Sequence, residues 1–393
     1  MKKILIYSPL ALENGRGGEI SSMELAKGLN EFFDITFVHT NILIGKRLLA
    51  EEAINSKLNG VKINCRMRFA TMKISNLVFT FPYPSDVLRL FRLIKKNDII
   101  YLSCSTFKQN FVFMFNSLLN RHVKYIVGYR KPLQSNKLFS LYNIKYRLSL
   151  LFYSLFRKRF YHHALSRSAK KYLENFYEPD KISHIIHGID LNPYIDDVFK
   201  AKSDDILKFI YIGYLDDIHK GINVLVHALD EFLAEYKSLK VNFEFCGMGP
   251  LEDKIKALEI NYPNNIKFNG YVRNDLIPDY YKKSDVFLFT SRVEPFPRTL
   301  MESLAAGLLV ICSKTIGSIE LLKGKEFGYF IDNLNQKAIK EKILEVYKLW
   351  ESNPIKFRKL QKSAKNFVFQ NYSTSREIKM FKSLITEIIK VKK

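Results

Sequence analysis

Only four cysteines (Cys65, Cys104, Cys246 and Cys312) are scattered over 393 residues, and none forms a Cys-x-x-Cys pair. That spacing fits neither a disulfide framework nor a zinc module, and a reducing compartment is the default expectation. No apolar run reaches the roughly 18 to 20 residues that span a bilayer. Phe111 to Leu119 and Leu148 to Phe156 are short and contain polar residues. The start, Met1-Lys2-Lys3 followed by Ile4-Leu5-Ile6-Tyr7, meets Pro9 and Glu13 too soon for a signal peptide and reads as a buried first strand. Asp-x-Asp and His/Cys ligand spacings are absent, so no metal and no cofactor is expected. His162-His163 is no exception, since neighbours in sequence rarely face one ligand.

The scarcest feature is acidic charge in one region. From Ile99 to Leu173 there is no Asp or Glu, while fourteen Lys and Arg residues fall there, within a chain of net charge +23. Inside that region, Leu138 to Tyr161 interleaves Phe, Tyr and Leu with Lys145, Arg147, Arg157, Lys158 and Arg159. This is the composition of a basic amphipathic helix on an anionic surface, and these five residues are the membrane-facing candidates. A core helix with a solvated charged face reads the same way, and nucleic acid, the least favoured partner, would be drawn by the same charge.

What is present is a folded α/β chain. With 47% hydrophobic and 26% charged residues, disorder is excluded. Short β-rich runs alternate with helical stretches: Lys3 to Tyr7, Ile35 to His39, Ile99 to Ser103 and Tyr125 to Gly128, then again Phe209 to Ile212, Asn242 to Cys246, Ile266 to Phe268, Val286 to Thr290 and Leu309 to Ser313. The pattern predicts two doubly wound, Rossmann-like domains facing each other across a cleft, over residues 1–192 and 193–374. Residues 375–393 are expected to form a helix packing back on the first domain.

Open α/β sheets bind ligands beyond the carboxyl ends of their strands. After the first strand, Gly15-Arg16-Gly17-Gly18-Glu19 opens a helix near Ile20, a place where the backbone can approach an anion. The most specific stretch is Glu294-Pro295-Phe296-Pro297-Arg298-Thr299-Leu300-Met301-Glu302. The two prolines keep Glu294 in a loop and let a helix begin near Arg298. Glu302 is then expected in the first turn, where a loop and a helix carboxylate converge and the N–H groups of Arg298, Thr299 and Leu300 aim at a phosphate. Earlier come Gly213-Tyr214-Leu215-Asp216-Asp217-Ile218-His219-Lys220-Gly221 and Gly247-Met248-Gly249-Pro250.

Together these stretches resemble the family 4 glycosyltransferases, two-domain enzymes of the GT-B fold. Gly17-Gly18, Ser166, His187-Gly188-Ile189-Asp190, Gly270-Tyr271-Val272, Ser284-Asp285-Val286 and Gly317 to Glu320 extend the resemblance over nearly the whole chain. It implies sugar transfer from a nucleotide-sugar donor with retention of configuration and without a metal. Glu294 then matches the residue that contacts the donor sugar, Glu302 the one that holds the ribose, and Lys220 the diphosphate-binding lysine. Gly213, Tyr214, Gly247, Gly249, Phe296, Pro297, Arg298, Thr299 and Leu300 complete the donor site. Gly17, Gly18, Tyr129 and Arg130 fall on the acceptor side.

The sequence departs from the family in three places. Tyr214 replaces the usual arginine, and Arg298 is a candidate for the missing charge. Val127-Gly128-Tyr129-Arg130 lacks the usual histidine, and Pro297 stands where glycine is common. The expected protein is a cytoplasmic enzyme, peripheral at the inner face of the membrane, acting on a glycolipid, lipid-linked oligosaccharide or surface polysaccharide precursor. A soluble enzyme acting on a protein or small molecule, and a non-catalytic basic binding protein on the same scaffold, stand as alternatives.

Overall fold

The computed structural model describes residues 1–12, 17–42, 54–55, 57–74, 77–105, 107–130, 149–156, 158–195 and 205–391. They form two units, Met1–Gly188 with Thr374–Lys393, and Ile189–Ser373.

The first unit is built on β1 (Lys3–Tyr7), β2 (Asp34–Thr40), β3 (Lys62–Met67), β6 (Ile99–Leu102), β7 (Lys124–Tyr129), β8 (Phe160–Ala164) and β9 (Ile182–His184). Their order is β3-β2-β1-β6-β7-β8-β9, and every pairing is parallel. A separate antiparallel pair joins β4 (Phe69–Ile74) and β5 (Leu77–Pro82). Near-continuous apolar strands such as Lys-Ile-Leu-Ile-Tyr have this composition because both sheet faces are covered.

Alternate residues serve alternate faces. Ile4 and Ile6 pack with α1 (Gly17–Leu29) and α13 (Thr374–Lys390) through Met23, Leu29, Phe381, Ile385 and Ile388. Leu5 and Tyr7 pack on the opposite side, in a core with α2 (Pro84–Lys95), α3 (Phe107–Leu119), α4 (149–155) and α5 (Arg167–Leu173).

The second unit has six parallel strands in the order β12-β11-β10-β13-β14-β15: β10 (Leu207–Ile212), β11 (Val241–Cys246), β12 (Ile266–Phe268), β13 (Val286–Phe289), β14 (Leu309–Ser313) and β15 (Gly328–Ile331). The helices are α6 (Ile222–Glu235), α7 (Glu252–Asn261), α8 (Ile277–Lys282), α9 (Arg298–Ala305), α10 (Ile316–Leu322), α11 (Gln336–Ser352) and α12 (Pro354–Asn371). Strand order reverses between β10 and β13, so the loops beyond their carboxyl ends diverge there and leave a crevice for a ligand.

Three local expectations are corrected. α1 begins at Gly17, not near Ile20. Glu302 is the fifth residue of α9, in its second turn, because the helix starts directly after Pro297. The segment Leu138 to Tyr161 is not one helix: α4 ends before Phe160 and Tyr161, which are buried in β8. Residues 131–148 and 157, including Lys145, Arg147 and Arg157, lie outside the described residues. No described helix is long and apolar enough to cross a membrane.

Candidate functional site

The loop after β10 is held by its own carboxylates. Asp216 accepts from the backbone N–H groups of His219 at 3.0 Å and Lys220 at 2.9 Å, and its other oxygen meets His219 Nδ1 at 2.9 Å. Asp217 receives Arg292 and caps the Asn223 N–H at 3.0 Å. Gly221 has φ +64°, and a Cβ there would lie 2.6 Å from the Thr290 carbonyl oxygen. That close approach lets the Thr290 hydroxyl donate to the Lys220 carbonyl at 2.8 Å, tying the loop after β10 to the end of β13.

Burial raises the Asp216 pKa, but hydrogen bonds from the His219 side chain and from the His219 and Lys220 backbone outweigh it and hold the carboxyl below its ordinary range. A depressed folded-state pKa stabilises the fold above the unfolded aspartate value of about 4 and loses that contribution as pH falls through the folded value. Asp216→Asn is therefore expected to unfold more easily than wild type at neutral pH. The gap should close in acid, as read from urea midpoints over a pH series.

Lys220 and Glu294, seventy-four residues apart, meet as an ion pair at 2.9 Å between Nζ and Oε2, with both side chains about a quarter exposed. Glu294 lies in the loop after β13, and its carbonyl accepts the Gly317 N–H at 3.1 Å, pinning that loop to α10. Phe296 is buried and packs toward Tyr372. Pro297 stands at the N-cap of α9 without a side-chain cap. The N–H groups of Arg298, Thr299 and Leu300 thus open the helix beside Glu294, and such groups favour an anion. Arg298 Nε approaches Glu302 Oε1 at 3.8 Å. The Tyr281 hydroxyl donates to the Thr299 carbonyl at 3.2 Å, bracing the same turn from α8.

Gly213 and Gly247 bring the ends of β10 and β11 together. The Gly213 N–H donates to the Cys246 carbonyl at 3.0 Å and the Gly247 N–H to the Gly270 carbonyl at 2.7 Å. A Cβ on Gly247 would stand 1.9 Å from the Gly213 oxygen, and one on Gly249 would stand 2.4 Å from the Leu215 oxygen. Tyr214, about half exposed, takes no part in this packing, although its carbonyl accepts from the buried Tyr211 hydroxyl at 3.1 Å. Gly247→Ala must displace a backbone carbonyl, and about 1–3 kcal/mol of lost stability is expected. A fall in thermal midpoint together with weakened ligand binding would bear this out; an unchanged midpoint would refute it.

On the first unit, Arg130 donates to the Gly18 carbonyl at 2.8 Å and to Ser22 Oγ at 3.1 Å, so the structure brings Gly18 and Arg130 together at the start of α1. Tyr129 does not face a ligand there. Its ring is buried, and its hydroxyl meets His162 Nδ1 at 3.0 Å. His163 likewise meets the Tyr101 hydroxyl at 3.0 Å and the Ile185 carbonyl at 2.7 Å. Burial pushes both imidazoles down to about 3, so these histidines are neutral core residues. Arg159 is also redirected: its guanidinium donates to the Ser117 carbonyl and lies over Phe156, while Lys158 is exposed.

Asp217, Thr290, Arg292 and Tyr281 escape sequence reading as site-building residues. Arg292 lies two positions before Glu294, but only the fold reveals its partner on another loop.

Against known proteins, residues 196–367 match the model of the family described as glycosyl transferases group 1. A glycosyltransferase of Methanocaldococcus jannaschii is 27% identical over 209 residues, 49% of this chain and 51% of that protein. The N-acetylgalactosamine-N,N'-diacetylbacillosaminyl-diphospho-undecaprenol 4-alpha-N-acetylgalactosaminyltransferase of Campylobacter jejuni is 31% identical over 173 residues, 42% of this chain and 45% of that one. The chain thus matches about half the length of these curated relatives. Among solved structures, HepE of Anabaena in complex with UDP and glucose superposes with a TM-score of 0.74 at 17% identity, covering 98% of this chain and all of that one. A glycosyltransferase of Rickettsia africae gives 0.72 at 18% identity, over 100% and 99% of the two chains. These likenesses show the fold, two parallel-sheet Rossmann-like units.

Proposed function

We propose, from the match of residues 196–367 to the model of the glycosyl transferases group 1 family, that the protein moves a sugar from a nucleoside diphosphate to an acceptor hydroxyl with retention of configuration and without a metal. The observation that carries the reading is the Lys220–Glu294 pair at the strand-order reversal, beside the open N-terminus of α9. A diphosphate entering there competes with Glu294 for Lys220 and takes up the N–H groups of Arg298, Thr299 and Leu300. Glu294, released from the ammonium, can then accept hydrogen bonds from the hydroxyls of the transferred sugar. Glu302, on the second turn of the same helix, is assigned to the ribose diol.

The chemistry follows from that placement. The bond from the anomeric carbon to the diphosphate breaks while the acceptor oxygen bonds to the same face. The acceptor's proton passes to the departing phosphate oxygen. Negative charge grows on the diphosphate, where Lys220 and the backbone donors stabilise it. Arg298 supplies cationic character that Tyr214 cannot.

The acceptor is assigned to the first unit, near Gly17, Gly18 and Arg130. A lipid-linked saccharide is favoured by the acid-free basic segment, and two relatives support it by their names: the undecaprenol diphosphate enzyme and the phosphatidylinositol N-acetylglucosaminyltransferase subunit of Schizosaccharomyces pombe. On this reading the enzyme works as a peripheral protein at the cytoplasmic face of a membrane.

The test is binding and hydrolysis of UDP-, GDP- and ADP-sugars by the purified protein, beside Glu302→Ala. Selective binding of one donor, weakened in the variant, is expected. Absence of binding to every donor by a folded protein would end the catalytic reading.

A further inference from the structure

The outer surface of α3 and α4 is inverted relative to a helix that faces water. On α3, Asn110, Asn116 and Ser117 are buried, and Asn120 directly after it is 7% exposed. Phe115, Leu118 and Leu119, at i, i+3 and i+4, are instead 49%, 41% and 65% exposed. The polar groups are used inward: Asn110 donates to Tyr153 Oη at 2.9 Å and to the Cys104 carbonyl at 2.7 Å, and Asn120 donates to Asn116 Oδ1 at 2.6 Å. α4 repeats the pattern, with Ser149 fully buried and Leu151 and Leu155 exposed by 57% and 70%.

Ordinarily a surface helix puts its apolar stripe on the core and its polar stripe outward. Here Phe113, Met114, Leu150 and Tyr153 fill the core from the inner sides of the same two helices, so the outer apolar stripe is surplus to folding. Exposed Leu and Phe side chains on two helices joined by the Asn110–Tyr153 hydrogen bond offer an interaction surface.

The surrounding charge selects the occupant. Arg121 follows α3, Lys158 follows α4, and Arg92 and Lys95 lie in the last turn of α2, whose Phe91 ring is 6.4 Å from that of Phe115. All four cations are exposed, and no acidic residue occurs between Ile99 and Leu173. A second copy docking here would bring like charges together, whereas an anionic bilayer offers hydrocarbon to the leucines and phosphates to the cations at once.

We propose that the outer face of α3 and α4 docks on an anionic lipid bilayer, with Phe115, Leu118, Leu119, Leu151 and Leu155 entering the interface and Arg121 and Lys158 meeting headgroups. This deepens the peripheral-membrane part of the proposed function and rests on it for its purpose, although the surface is independent of the donor site. It also moves the contact from Arg159, which points inward to Ser117, to a leucine ridge.

The experiment is co-sedimentation of the full chain with phosphatidylcholine vesicles and with an equimolar phosphatidylcholine and phosphatidylglycerol mixture. The variants are a quadruple Leu118→Ser, Leu119→Ser, Leu151→Ser, Leu155→Ser chain, an Arg121→Glu, Lys158→Glu chain, and Ile355→Ser as a control at an exposed apolar site on the second unit. Wild type and Ile355→Ser are expected to bind the mixed vesicles at least about tenfold better than the neutral ones, and both multiple variants to lose about that factor.

Equal binding to the two vesicle types, or undiminished binding by the serine variant, would overturn the proposal. So would a wild-type dimer in sedimentation that the serine variant dissolves, since a second copy would then be the occupant. Nucleotide-sugar binding measured on the same proteins separates the two readings. A wild type that docks on vesicles but binds no donor defeats the catalytic assignment alone. A wild type that binds donor but no vesicle defeats the docking alone.

Discussion

Lys220→Ala is expected to lower sugar transfer by about 10²–10³-fold, or ~2.7–4 kcal/mol of transition-state stabilisation, the size seen when a donor aimed at developing negative charge is removed. The lysine has two tasks at this site. It holds Glu294 at 2.9 Å, and under the proposed function it turns to the diphosphate once a donor binds. Truncation should therefore reduce kcat more than it raises KM, because the charge it meets is greatest as the bond to the diphosphate breaks. Lys220→Arg keeps a cation but not the point geometry of an ammonium, and should recover part of the loss. Thermal stability should change little, since the pair is about a quarter exposed and such pairs contribute little to folding. Initial rates with the donor identified by binding decide the matter. A Lys220→Ala enzyme within about threefold of wild type would remove leaving-group stabilisation from this residue.

Glu377→Ala is expected to destabilise the first unit by about 1–3 kcal/mol, the cost of removing one partner from buried hydrogen bonds. Glu377, on α13, is 2% exposed; one oxygen meets His187 Nδ1 at 3.0 Å and the other accepts the Gly188 N–H at 2.8 Å. His187 Nδ1 also lies 3.0 Å from Ser21 Oγ on α1. The carboxylate therefore joins the C-terminal helix to α1 and to the end of the first chain segment, beside a core in which His163 packs edge-on against Phe381. With alanine, the buried Gly188 N–H and His187 Nδ1 both lose the carboxylate oxygens they meet. At roughly 2–4 °C per kcal/mol for units of this size, the thermal midpoint should fall by on the order of 5 °C. Glu377→Gln retains an acceptor for Gly188 and should lose less. If calorimetry gave equal midpoints for Glu377→Ala and wild type, the latch would be refuted.

Much of this was legible in the residues themselves. Buried parallel strands announce themselves as short unbroken apolar runs, because both faces are covered and period two disappears; Lys3–Tyr7 and Val286–Phe289 are of this kind. The two prolines around Phe296 kept Glu294 off a helix because proline disfavours the α region just before it and cannot donate to a preceding turn. Gly213, Gly247 and Lys220 stood out by position, each just beyond or near the end of a strand, where ligand loops belong.

Other features were illegible because they depend on partners distant in sequence. Nothing local distinguishes Tyr129, whose hydroxyl meets His162, from a tyrosine lining a site. Arg159 looked like part of a basic face, yet its guanidinium reaches the Ser117 carbonyl on another helix. Composition does not reveal which side chains of α3 face outward, because exposure is a property of what packs beside it.

By itself, then, the sequence determined the two doubly wound units, the loops that bear chemistry and the residue types within them, since strand burial, helix starts and backbone restrictions act over a few neighbouring residues. Only the tertiary structure decided that Lys220 is held by Glu294, that Glu377 closes on His187 and Gly188, and that leucines of α3 and α4 face outward. Each of these depends on which surfaces meet, and that is set by the packing of whole elements against the sheets.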